Sequence, residues 1–173
     1  MKRFAILAGV LAGLLIAAPA AHAQLPVDGT ATVTVLRALT LTETTPMGWG
    51  SVARPGNGTA DYTLNYSTGA VTLSGTTSTA FPGFAWDNGV AGVWAVTGEP
   101  STAISFSVSI GAFDGTVPVT VQAAHINGTS SSGTGTLDGS GNFTLNVGGI
   151  IRVSATATLG LQTATVTVTV DYV

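Results

Sequence analysis

The amino-acid sequence predicts an all-β protein, an antiparallel sandwich of two sheets, and three observations lead to this prediction. Apolar and polar residues alternate with a period of two through most of the chain after residue 23, as in half-buried strands. Turn signals rich in Gly, Asn, Asp and Pro separate these runs. No window of ten or more residues in this part carries the apolar stripe of an α-helix. Eight or nine short strands with frequent turns are typical of a sandwich.

The first 23 residues have the pattern of a secretory signal peptide. Lys2 and Arg3 form a basic start, residues 4–18 are an apolar run, and Ala21-His22-Ala23 is a small-x-small cleavage site. The apolar run is short for a bilayer span. We therefore expect cleavage after Ala23, no stable membrane span in the mature protein, and a periplasmic, cell-surface or extracellular location.

The remaining residues, 24–173, have the length of one domain. They hold three arginines and no lysine against eight acidic residues, and this negative charge repels phosphate backbones, which excludes nucleic acid as a partner. The chain has no cysteine, which excludes disulfides, thiol chemistry and cysteine-based metal sites. We expect an extended arm or first strand at 24–36 and the sandwich domain at 37–173.

The strands of the sandwich are predicted from the alternating runs. They lie at 62–66, 71–73, 93–96, 104–110, 117–123, 143–147, 151–159 and 164–172. The Gly- and aromatic-rich segment 74–92 is interpreted as a long loop that covers one end of the sandwich, and the low-complexity segment 127–136 as an exposed loop. Besides Val, Ile and Leu, the predicted core contains six aromatic residues, namely Trp49, Phe81, Phe84, Trp86, Trp94 and Phe106.

Candidate groups for chemistry are sparse. After the leader there is one histidine, His125, at the end of a predicted strand, and the acidic residues are scattered, most of them beside turns that Asp side chains cap. We therefore expect no catalytic residue, no cofactor and no metal site. An exposed tryptophan can stack on a sugar, so Trp49 and Trp86 are the candidates for an alternative function, a secreted carbohydrate-binding module.

The six residues TATVTV occur twice, at 30–35 and at 163–168. The first copy lies in the arm, where apolar residues of one parity could fill pockets in a neighbouring subunit, namely Leu25, Val27, Ala31, Val33 and Val35. The second copy leads into a strand whose edge could accept the arm, along Val166, Val168, Val170 and Tyr172. Exposed strand edges pair with further strands. The open alternative is that residues 30–36 pair within their own chain.

Several segments resemble a bacterial family, domain of unknown function 4402. They are LTLTETTPMGWGSV at 39–52, VWAVTGEPSTAISFSVS at 93–109, and the stretch 137–172 with its Val-Gly-Gly and its closing TVTVDY. In Met47-Gly48-Trp49-Gly50, Trp49 stands where that family usually has Phe.

The family in turn is similar to spore-coat-U-like proteins and chaperone–usher pilin subunits. This resemblance implies an immunoglobulin-like sandwich and a fimbrial-like subunit that associates with itself or with related subunits. It also implies a periplasmic chaperone as a partner.

Overall fold

A computed structural model describes residues 29–79 and 89–173, and in this part of the chain all regular structure is β. Residues 35–173 form one compact unit, and residues 29–34 lie outside it. The predicted signal peptide lies outside the described residues. The strands in chain order are β1 Thr40–Thr45, β2 Thr59–Leu64, β3 Val71–Thr76, β4 Gly92–Thr97, β5 Ala103–Ile110, β6 Thr120–Ile126, β7 Ser132–Thr136, β8 Asn142–Ser154 and β9 Val166–Tyr172.

The strands form two antiparallel sheets, as predicted. The larger sheet runs β1-β4-β8-β2-β3, with β6 also paired to β8, and the smaller sheet runs β7-β5-β9. Arg152 of β8 lies between Asp61 of β2 and Thr120 of β6, so these two strands flank β8 on opposite sides. Strands β4 and β2 pair with successive halves of β8, which makes β8 the longest strand and the centre of the larger sheet.

The prediction of two strands, 143–147 and 151–159, is wrong at this point, because β8 is continuous through Gly148 and Gly149. A Cβ on Gly148 would collide with the carbonyl oxygen of Leu64, and a Cβ on Gly149 would come within 2.6 Å of the carbonyl oxygen of Ala123. The two glycines therefore do not break the strand. They let the backbones of β2 and β6 approach it closely.

The prediction of a loop over 127–136 is also wrong in part, because Ser132–Thr136 forms β7 and pairs with β5. The residues of β7 that face the core are Gly133 and Gly135, which lie against the rings of Phe106 and Phe143. These rings occupy the space that inward side chains would fill. The strand therefore has no apolar residues to reveal its period.

The core consists of two clusters. The first lies between the sheets and contains Trp94, Val96, Ile104, Phe106, Val108, Ile126, Leu137, Leu145 and Val147. The second covers the β2 end of the larger sheet and contains Trp49, Ala60, Tyr62, Leu64, Val71, Ile151, Val153 and Ala157. Trp49, Trp94 and Phe106 are core residues as predicted, whereas Phe81, Phe84 and Trp86 lie outside the described residues.

Candidate functional site

The core-facing side of β9 is only half covered. Each core-facing residue of β9 lies opposite a residue of β5 in antiparallel register: Tyr172 opposite Ile104, Val170 opposite Phe106, Val168 opposite Val108, and Val166 opposite Ile110. The first three residues on β5 are at most 5% exposed, whereas all four on β9 are half-buried. In the described residues the cover over the core therefore stops at β9, and we call the partly open strip along the valines of this strand the groove.

Strand β1, at the edge of the larger sheet, is also only partly covered on its core-facing side. Leu41 lies opposite Val96, which is 1% exposed, yet Leu41 itself is 38% exposed. Glu43 lies opposite Trp94 and is exposed at the same edge. Within the described residues, no strand pairs with the outer edge of β1 or of β9. Among the described residues, both sheets therefore end in a strand with unpaired backbone groups and a partly covered core-facing side.

One end of the groove is closed by Tyr172. Its hydroxyl donates to the carbonyl oxygen of Arg37 at 2.7 Å and accepts from the backbone N–H of Glu99 at 2.6 Å. The carboxylate of Glu99 in turn accepts from the backbone N–H of Arg37 at 3.2 Å. These bonds hold the chain just before β1 against the last residues of β9. We call this the Tyr172 end of the groove.

The other end, beside Val166, opens into a cleft of about 770 Å³. Its walls come from the segment 47–54, from the ends of β5 and β8, and from the loop 157–164. Leu159 and Leu161 on this loop are 70% and 92% exposed. The sequence prediction missed the cleft because its lining residues are far apart in the chain. The two leucines in Leu-Gly-Leu were the only local signal.

Trp49 lies in the wall of this cleft and is 8% exposed. Its ring meets Phe113 edge-on, with ring centroids 5.9 Å apart. Its Nε1 is the one buried side-chain polar atom in the described residues that lacks a hydrogen-bond partner. A buried indole offers no flat face for stacking on a sugar, and the second candidate for that role, Trp86, lies outside the described residues.

The predicted donor residues lie before β1. Residues 29–39 contain no strand, and Ala31, Val33 and Val35 are exposed, the two valines at 84% and 85%. Leu25 and Val27 lie outside the described residues. The two copies of TATVTV thus differ in structure. The first belongs to no strand, and only the last three residues of the second belong to β9.

Three of the acidic residues serve the structure. Asp61 forms a two-point ion pair with Arg152 across β2 and β8, with distances of 2.7 and 2.8 Å, and the bonds from Arg152 lower the pKa of Asp61. Bonds from the backbone N–H and the hydroxyl of Thr163 lower the pKa of Asp114. Backbone N–H groups of the turn that leads into β8 do the same for Asp138.

The candidate groups for chemistry stay apart. His125 is half-buried in β6. Among residues 29–79 and 89–173, no three His, Asp or Glu side chains gather as a metal site would require. The same residues contain no apolar helix of the length that crossing a bilayer requires.

Comparison with known proteins places the chain in a family. The family described as Domain of unknown function (DUF4402) matches residues 39–172, which is most of the chain. The chain belongs to this family. The match runs from the residue before β1 to the end of β9 and thus includes both edge strands. No curated protein and no solved structure matches the chain.

Proposed function

We propose that this member of the DUF4402 family is an exported structural subunit that assembles into a fibre or surface coat by β-strand donation. The observation that carries the proposal is the half-buried row on β9, which lies opposite a row on β5 whose Ile104, Phe106 and Val108 are buried. A strand added along β9 would cover this row and pair its backbone groups. The groove is thus an acceptor for an extended segment.

The strand order supports an immunoglobulin-like reading of the sandwich. Such domains have strands A, B, E and D in one sheet and C, F and G in the other. The path β1-β4-β8-β6 corresponds to A, B, E and D, while β5 and β9 correspond to C and F. Strand G would lie along the outer edge of β9, where the described residues provide none. The β2-β3 hairpin is an addition to this plan.

The segment 24–36 has the properties of the donated strand. Five of its apolar residues share one parity, namely Leu25, Val27, Ala31, Val33 and Val35, and threonines occupy most positions of the other parity in its second half. In a strand, alternate residues face opposite sides, so Ala31, Val33 and Val35 would face the acceptor core while Thr32 and Thr34 face water. The exposure of all three apolar residues supports this role.

Export is part of the same proposal, with the first 23 residues as a cleaved signal peptide and no catalytic activity or cofactor. Related subunits and a periplasmic chaperone are the proposed partners. An exposed apolar groove favours aggregation, so a chaperone would have to cover it before assembly. N-terminal sequencing of the protein from the cell surface or periplasm tests this part. We expect the mature chain to begin at Gln24, and an uncleaved cytoplasmic product would contradict it.

Deleting residues 24–34 tests strand donation directly. We expect loss of the high-molecular-weight species in size-exclusion chromatography and of fibres or sheets in electron microscopy, with the circular dichroism spectrum unchanged. A matched pair of full-length variants compares the face of the arm that would contact the acceptor core with the face that would contact water. Val33→Asp should abolish assembly, whereas Thr32→Asp should preserve it. Assembly that survives both the deletion and Val33→Asp would refute the proposal.

A further inference from the structure

The two ends of the groove differ in a way that bears on how a neighbour would dock. At the Tyr172 end, the chain's own Arg37 is bonded to Tyr172 and Glu99, so this end is already filled. At the Val166 end, the groove runs into the cleft, whose rim carries the exposed Leu159 and Leu161. Among residues 29–79 and 89–173, only the second end has an apolar surface without cover.

We propose that the cleft is the docking surface for a second copy of this chain. Val35 of the neighbour, the last residue of the donated row, lies where the groove meets the cleft, and Leu36, which joins the neighbour's arm to its domain, enters the cleft. The neighbour's domain then lies against the loop 157–164. This inference rests on the proposed strand donation and adds to it a contact between domains, outside the groove.

The chemistry of the two surfaces matches. Val35 and Leu36 are 85% and 42% exposed in a single copy, and Leu159 and Leu161 are more than two-thirds exposed, so the contact covers apolar surface on both sides. No charged residue occurs at 29–36, and Arg54, the one charged residue that lines the cleft, donates to the carbonyl oxygen of Ala157.

The docking surface fixes the direction of the donated strand. With Val35 at the Val166 end, the arm runs antiparallel to β9, and its first residues point toward Tyr172. Each copy then receives an arm at the Val166 end and extends its own arm from the Tyr172 end, where Arg37 is held. Such a head-to-tail contact generates an open filament when the rotation between copies does not close a ring.

Cysteine cross-linking tests the direction without background, because the chain has no cysteine of its own. One batch carries Val33→Cys or Gly29→Cys in the arm, and a second batch carries Val166→Cys, Val168→Cys or Val170→Cys on β9. The batches are mixed, assembled and oxidised, and each dimer band is quantified. For each arm variant, one position on β9 should give the strongest dimer band. We expect this position to have a lower residue number for Val33→Cys than for Gly29→Cys. The reverse order, or equal yields, would overturn the inference.

A second experiment separates the cleft from the groove. We expect the double variant Leu159→Asp/Leu161→Asp to reduce assembly at least tenfold at a fixed concentration. The same variant should bind a synthetic peptide of residues 24–34, which lacks Val35 and Leu36, with unchanged affinity. A peptide that fails to bind the wild-type domain would count against strand donation itself. Binding of the peptide together with undiminished assembly of the variant would overturn only the docking surface.

Native mass spectrometry of the assembled protein is the third experiment. Masses that are whole multiples of the chain agree with a cleft filled by the neighbour. A stoichiometric apolar adduct that Leu159→Asp/Leu161→Asp removes would show that a small molecule fills the cleft, and the inference would then be wrong.

Discussion

At the scale of single residues, Tyr62 shows how one polar atom ties a segment to the core. Its side chain is fully buried, and its hydroxyl donates to the carbonyl oxygen of Ala53 at 2.7 Å. Burial raises the pKa of Tyr62, so the hydroxyl stays protonated and remains a donor at physiological pH. The bond holds the segment before β2, which includes Trp49, against the second core cluster.

Tyr62→Phe is therefore expected to destabilise the domain by about 1–3 kcal/mol, because a buried carbonyl loses its donor. Urea unfolding followed by tryptophan fluorescence measures the change. Tyr66→Phe is the matched control, since the hydroxyl of Tyr66 makes no hydrogen bond within the described residues. Equal midpoints for the two variants would contradict the assigned role of the Tyr62 hydroxyl.

The acidic residues predict how stability depends on pH. The pKa values of Asp61, Asp114 and Asp138 are all lowered from the ordinary 3.8 by the hydrogen bonds of the folded state. Groups with lowered pKa values stabilise the fold above the unfolded pKa, and this stabilisation is lost as the pH falls through the folded pKa. The unfolding temperature should therefore be steady above about pH 5 and fall as the pH drops below about 4.

The variant Asp61→Asn tests the contribution of the ion pair with Arg152. It should unfold at a lower temperature than the wild type at pH 7, and its unfolding temperature should fall less steeply below pH 4, because one titrating group is gone. Thermal scans monitored by circular dichroism between pH 7 and pH 2 give both quantities. Parallel curves for the two proteins would show that Asp61 does not contribute.

At the scale of secondary-structure elements, β8 organises the larger sheet. It pairs with β4 along its first half, with β2 along its second half, and with β6 on the opposite side. The change of partner falls at Gly148 and Gly149, where no side chain keeps the neighbouring backbones away. The glycine pair is therefore a packing requirement of the fold.

Gly148→Ala is expected to destabilise the domain by about 1–3 kcal/mol or more, because the new methyl group would collide with the backbone carbonyl of Leu64. Gly139→Ala in the turn before β8 is the control, since a methyl group there meets nothing within 4 Å. Guanidinium unfolding of both variants gives the comparison. A Gly148→Ala variant as stable as the control would mean that the two backbones can move apart freely.

The elements also show where sequence patterns fail. Strand β7 was missed because Gly133 and Gly135 replace the apolar residues that reveal a strand, and the rings of Phe106 and Phe143 fill their places. Strand β8 was predicted as two separate strands because Gly148 and Gly149 resemble a turn when only the local sequence is considered. In both cases the glycines are explained by atoms of other strands that lie against them. A pattern read from neighbouring residues in the sequence contains no information about those atoms.

At the scale of the whole molecule, the main feature is the edge of β9, with which no strand of the described residues pairs. The sandwich covers the core on the β5 side and leaves the valines of β9 half-exposed at the other side. A domain of this kind gains stability from any strand that fills the groove, because binding to the folded state alone shifts the unfolding equilibrium. Assembly and stability are therefore expected to rise together.

A peptide of residues 24–36 should raise the unfolding temperature of the protein that lacks residues 24–34. At a peptide concentration about 100 times the dissociation constant, the expected gain in unfolding free energy is about 2.7 kcal/mol. Differential scanning fluorimetry over a range of peptide concentrations measures it. A control peptide with Val33 and Thr34 exchanged places a polar residue toward the core and should give a smaller shift. Equal shifts would argue against parity-specific insertion.

The sequence by itself determined the all-β class, the positions of most strands and the alternation of β9, because a strand's period and its turn residues are local properties of the chain. Only the tertiary structure decided which edges stay unpaired, how β8 divides its partners, and where the cleft beside Trp49 lies. Those features depend on contacts between residues that are far apart along the chain. The same alternating sequence can therefore be a paired strand at 166–168 and lie outside any strand at 33–35.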